Sequence, residues 1–140
     1  ADVQTEDGFV IEFQYSHIKP EEQRSREGFY KRMVWVLNGS RRKNDWKRFA
    51  KGSRDFRHTN QKGIFSVPFP DEAFHKSWIS SSVPVFFDFD EFDGGLWGIL
   101  PGRQKGHAIS LCVSKMQFVE FARDGKLFEK LQEIGKHSKT

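Results

Sequence analysis

Cysteine is nearly absent. The single thiol, Cys112, excludes an internal disulfide framework and any cysteine-rich zinc site. Set in Ile109-Ser110-Leu111-Cys112-Val113, it reads as a small buried hydrophobe rather than a nucleophile. Long apolar runs are also missing. The longest, such as Met33-Val34-Trp35-Val36-Leu37, is far too short to span a bilayer, so a membrane is not among the expected partners. No basic-then-apolar leader opens the chain, and with so little cysteine the expected compartment is a reducing cytoplasm. There is no glycine-rich phosphate loop, no G-x-S-x-G elbow and no HExxH.

Aromatic residues, by contrast, are plentiful. The 15 Phe and 4 Trp give a 140-residue chain enough apolar matter for one core, so a single domain over residues 1–140 is expected. Charge is unevenly spread. Residues 19–62 hold 14 Lys/Arg against 5 Asp/Glu, while the other residues hold 9 against 14. Such a basic segment suits either a phosphate backbone or an ordinary solvated surface.

The opening residues carry a hairpin signal. Ala1 to Thr5 and Phe9 to Tyr15 are β-prone and are separated by Glu6-Asp7-Gly8. Phe9, Ile11, Phe13 and Tyr15 alternate with Val10, Glu12 and Gln14, which predicts one core-facing and one polar face. Lys19-Pro20-Glu21-Glu22 then starts a helix expected to run to about Arg32, with Pro in the first turn. Met33 to Leu37 reads as a buried strand ending at Asn38-Gly39. Residues 1–39 thus form a hairpin-helix-strand core, and residues 40–140 add further elements. These are a short helix over Asp45–Ala50, a helix over Asp71–Ile79, and strands at Val83–Asp90, Leu96–Leu100 and His107–Val113. A helical pattern follows from Lys115 to Ile134, interrupted at Asp124-Gly125.

The polar face of the hairpin is where chemistry is expected. If Thr5 pairs with Phe9, paired residue numbers sum to 14 and Asp2 falls opposite Glu12. Cross-strand Cβ atoms lie roughly 4.5–5.5 Å apart, so one ion could lie between the two carboxylates. Gln14 shares that face. A hard divalent ion such as Mg2+, or Mn2+ in its place, takes oxygen ligands of this kind. An exposed polar face on an ordinary hairpin would show the same spacing. The acids from Asp88 to Asp93 match no calcium loop and read as strand-end and turn residues.

These residues also carry a resemblance. Ala1-Asp2-Val3, Val10-Ile11-Glu12-Phe13-Gln14-Tyr15-Ser16, the helix with Glu22, Arg26 and Tyr30, and Val34-Trp35-Val36-Leu37 resemble the nuclease core of the competence protein CoiA-like family. That family is part of the PD-(D/E)xK nuclease superfamily. Val83-Pro84-Val85-Phe86-Phe87-Asp88 resembles, less specifically, a segment that follows the core. The resemblance implies an α/β, restriction-endonuclease-like mixed sheet flanked by helices, starting after the first helix and strand of that core. It implies metal ligation by Asp2, Glu12 and the carbonyl of Phe13, with Gln14 in the place of the superfamily's lysine.

The resulting expectation is a Mg2+- or Mn2+-dependent nuclease hydrolysing DNA, with Asp2, Glu12 and Gln14 as its catalytic centre. Glu22, Arg26 and Tyr30 lie on one helical stripe: Arg26 and Tyr30 would meet a phosphate and a sugar or base, or else Glu22 and Arg26 form a salt bridge with Tyr30 packed at the core edge. Arg41, Arg42, Lys43, Lys47 and Arg48 would hold the nucleic-acid backbone without reading sequence. Trp46 suits either a base stack or a core anchor, and His17 either a proton relay or a polar position before the helix. A nuclease fold that only binds nucleic acid, or a protein-interaction domain, stands as the alternative. An open sheet edge invites pairing with a second copy or a partner chain.

Overall fold

The computed structural model describes residues 3–5, 8–14, 18–39, 43–89, 95–103 and 106–137. The hairpin closes as its spacing predicts. The Thr5 N–H donates to the Phe9 carbonyl at 2.8 Å and the Gly8 N–H to the Thr5 carbonyl at 3.0 Å. Gly8 takes φ +85°, a left-handed conformation that a residue without Cβ adopts freely. Strand β1 (Val3–Gln4) then runs antiparallel to β2 (Val10–Gln14), pairing Val3 with Ile11 and Gln4 with Val10, so the numbers sum to 14.

Helix α1 (Pro20–Tyr30) carries the chain to β3 (Met33–Asn38), which lies parallel to β2 with Glu12 beside Trp35 and Gln14 beside Leu37. Later come α2 (Lys43–Gly52), a 3-10 turn at Ser53–Asp55, β4 (Arg57–His58) and β5 (Ile64–Val67). The two short helices α3 (Pro70–Ala73) and α4 (Lys76–Ile79) precede β6 (Val85–Asp88), β7 (Gly95–Ile99) and β8 (Ala108–Ser114). Helices α5 (Lys115–Arg123) and α6 (Leu127–His137) follow. One sheet runs in the order β1-β2-β3-β6-β7-β8-β5-β4. Its β2-β3-β6 part is parallel and the remaining pairs are antiparallel, which makes the fold α/β with a mixed eight-stranded sheet.

Both faces of the sheet are covered. Met33, Trp35, Leu37, Val85 and Phe87 point to one face and pack with Phe49 of α2, Ala73 of α3 and partly buried Trp78 of α4. Phe9, Ile11, Val34, Val36 and Phe86 point to the other and pack with Phe118 and Ala122 of α5 and Leu127 and Leu131 of α6. Strands in a parallel region, flanked by helices on both sides, lose their polar face. The expected in-out alternation of β2 is therefore corrected. Val10 and Glu12 are as buried as Phe9 and Ile11, because α1 lies across that face.

Other expectations change in detail. Helix α2 extends beyond Asp45–Ala50 at both ends. The helix foreseen over Asp71–Ile79 is two short helices, because Phe74 (φ −127°, ψ 150°) and His75 (φ −65°, ψ 139°) are extended between them. The β4–β5 hairpin lay unseen partly within the polar stretch before Gly63. Cys112 is exposed, a correction to its expected burial. It points to the same side of the sheet as its cross-strand partner Trp97, near the end of β8 and past the buried Ser110. The break at Asp124-Gly125 is found as expected: the Gly125 N–H closes α5 on the Ala122 carbonyl at 3.1 Å and the chain restarts as α6.

Candidate metal centre and the cleft beside it

Glu12 sits in the middle of β2 with only 4% of its surface exposed. Its side chain points to the face that α1 covers, and Arg26 of that helix reaches it. Arg26 Nη1 donates to Glu12 Oε2 at 3.4 Å, and Nη2 donates to Glu22 Oε1 at 2.5 Å. Good charge-assisted N–H···O bonds are about 2.7–2.9 Å. Arg26 is therefore held firmly by Glu22, its neighbour one helical turn back, and only loosely by Glu12. Gln14, two residues on, points to the same side of the strand.

The donors assembled here are oxygens. The Glu12 carboxylate, the Gln14 amide and the Phe13 carbonyl have the hard chemistry that Mg2+ or Mn2+ prefers. Among the described residues no three His, Cys, Asp or Glu side chains come together as a set able to hold an ion. A centre at Glu12 would draw its second carboxylate from Asp2, which lies outside the described residues. The ladder that does lie within them pairs Val3 with Ile11 and Gln4 with Val10, residue numbers that sum to 14.

Of the other residues singled out, Tyr30 is half-buried at the core edge, its ring edge-on to Phe29 with centroids 5.1 Å apart. Lys47 is exposed on α2, and Lys43 opens that helix. Arg41, Arg42, His17, Tyr15 and the acids from Asp90 to Asp93 lie outside the described residues. Asp88 pairs with Lys115 at 3.0 Å, a strand-end acid as expected. Trp46 anchors α2 to the core, its ring 5.6 Å from that of Phe89 and 6.2 Å from that of Phe49.

On α1 the Glu22–Arg26 pair forms with Tyr30 at the core edge, the alternative expected for that stripe, and the buried residues beside it are Gln23 and Glu27. Glu27 accepts from Trp35 Nε1 at 2.9 Å, Gln23 Nε2 at 3.1 Å and Ser81 Oγ at 2.9 Å. It also accepts from the Ser82 N–H at 3.0 Å and Ser82 Oγ at 2.8 Å. Burial acts to raise its pKa. The Ser82 N–H, then Gln23, the Ser82 hydroxyl and Trp35 oppose this and prevail, holding the carboxyl below its ordinary value. A signal for this stripe existed. The helix has almost no apolar residues before Phe29, so its inward side had to be polar and had to find partners.

Gln14 also opens onto a cleft of about 290 Å³ outside the carboxyl ends of β2, β3 and β6, where open α/β sheets commonly bind ligands. Gln14, Asn38, Asp45, Arg48, His75 and Lys76 supply its polar wall. Trp78, Phe74, Phe87 and Phe89 supply its aromatic surface. His75 caps α4, its Nδ1 accepting from the Ser77 N–H at 3.2 Å and lying 2.8 Å from Ser77 Oγ. Of this wall only Gln14 and Arg48 were foreseen as functional. The others come from the end of β3, from α2 and from the start of α4, and only the fold brings those three places together.

No family model matches this chain, and neither does any curated protein or solved structure.

Proposed function

We propose that this chain is a nuclease-fold domain that hydrolyses DNA phosphodiesters with a divalent metal, Mg2+ or Mn2+, held at Glu12. The observation that carries this reading is a buried glutamate at the centre of the second strand of a hairpin-helix-parallel strand unit, with Gln14 beyond it on the same face. That unit has the order of elements expected of a restriction-endonuclease-like core. Asp2, Glu12 and the Phe13 carbonyl would hold the ion. When bound, it polarises the phosphodiester and lowers the pKa of an attacking water.

The chain's own residues have separate tasks in this reading. Gln14, uncharged at a place where a lysine is expected, donates its amide to a phosphate oxygen or positions the water. Arg26, braced by Glu22, holds the Glu12 side chain aimed until metal arrives. Arg48, Lys43 and Lys47 on α2, with Arg41 and Arg42 before it, hold the strand by charge. A second reading, a nuclease fold that binds nucleic acid without turnover, is favoured by one contact. Arg26 already supplies Glu12 with a cation.

Metal binding and cleavage separate the two. Millimolar Mn2+ is expected to raise the melting temperature of the wild type, since a ligand bound only by the folded state stabilises it. Glu12→Gln should abolish that rise together with DNA cleavage. Cleavage that survives in both Asp2→Ala and Glu12→Ala would rule out this centre. An unshifted melt with no cleavage would leave the binding module as the correct reading.

A further inference from the structure

Arg48 is half-buried in the cleft, yet neither it nor Lys76 forms an ion pair among the described residues. Asp45, an acid that lines the same cleft, lies three residues before Arg48 on the same helix and forms no ion pair with it. A half-buried guanidinium and an exposed ammonium lining one cleft offer an anion charge-assisted hydrogen bonds. Trp78 lines the same cleft, fixed by edge-on packing against the buried Trp35 with centroids 5.5 Å apart. An indole held rigid at a cleft wall is a stacking platform for any base.

Size narrows the ligand. The cleft's volume of about 290 Å³ falls just under the range of ligand sites, roughly 300 to 1,000 Å³. That accommodates one nucleotide and not a stacked pair of strands. Position narrows it further. Gln14 lines the cleft and Glu12 lies two residues back along β2, about 7 Å away by strand rise. A nucleotide in the cleft would thus adjoin the phosphate presented to Glu12.

We infer that this cleft seats one unpaired nucleotide of a DNA strand, its phosphate on Arg48 and Lys76 and its base against Trp78. The inference deepens the proposed nuclease reading by naming single-stranded DNA, or an unpaired end, as the substrate class. It rests on that reading for the kind of ligand but not for the metal.

The test is therefore run in EDTA, by fluorescence anisotropy on the whole chain. The probes are a labelled oligothymidylate of about 10 nucleotides, the matching duplex, and thymidine monophosphate and a polyglutamate peptide as competitors. The single strand should bind more tightly than the duplex, and neither competitor should displace it at equal concentration. Arg48→Ala and Lys76→Ala should each weaken the single strand about tenfold and flatten its log-log salt slope by about 0.7, one phosphate contact apiece. Lys130→Ala, on α6 against the opposite sheet face, should bind as the wild type does.

Wild-type affinity in the Arg48 and Lys76 variants would overturn the inference, as would equal binding of duplex and single strand. Displacement by thymidine monophosphate at equal concentration would overturn it in favour of a free nucleotide, and displacement by polyglutamate in favour of an acidic protein. If the wild type never cleaves DNA but shows the expected binding pattern, the hydrolysis reading falls and the cleft assignment stands.

Discussion

Glu27 carries its negative charge among five neutral donors from Gln23, Trp35, Ser81 and Ser82, well away from water. Those bonds tie α1 to β3 and to the chain entering β6, while Gln23 ties the same helix to the Ser77 carbonyl at 3.2 Å. Glu27→Ala leaves buried donors unmatched and is expected to cost about 3 kcal/mol or more in urea unfolding. The effect also depends on pH. The folded-state pKa lies below the ordinary 4.5, so the unfolded chain takes up the proton first as pH falls. The stabilisation is complete above that ordinary value and is lost as pH drops through the lowered one. Unfolding midpoints measured from neutral pH down to acid should show this loss in the wild type and a flatter acid limb in Glu27→Gln. Lys31, which ends α1, holds φ +60° with ψ −50°, a conformation that strains any residue with a Cβ. Lys31→Gly should raise stability by about 1 kcal/mol by the same measurement.

Among the elements, β7 shows how closely the sheet is packed. A Cβ on Gly98 would lie 2.6 Å from the Phe86 ring, which is itself held edge-on by Phe118 with centroids 5.0 Å apart. Because that ring cannot move away, Gly98→Ala is expected to cost about 1–3 kcal/mol in thermal or urea unfolding. Elements with strong local signals were legible in the sequence. Gly8 and the flanking β-prone runs gave the hairpin and its register, Pro20 gave the start of α1, and the unbroken apolar run gave β3. Ser114 with Gln117 forms the capping box that starts α5. Elements defined by distant partners were not legible. β4 and β5 are short and lie close to a polar stretch, and nothing local says that Ile64 pairs with Leu111. The site divides the same way. Glu12 and Gln14 stand out by their spacing on one strand, whereas Asn38, His75, Lys76 and Trp78 meet only after β2, β3 and β6 have aligned.

For the molecule as a whole, the order of the sheet departs sharply from the order of the chain. β5 precedes β6, β7 and β8 in sequence but lies beyond all three in the sheet, paired to β8, with Val67 opposite Ala108. Among the described residues, the face bearing Phe9, Ile11, Val34 and Phe86 is packed by side chains of α5 and α6, which follow all the described strands in the chain. On a ribosome, then, the early strands would wait with both an apolar face and a hydrogen-bonding edge uncovered until residues past Leu131 emerge. Such distant pairings slow folding and lengthen the interval in which open edges meet other chains. Holding factors that shield nascent strands should therefore raise the yield of this protein more than they improve the stability of the finished fold.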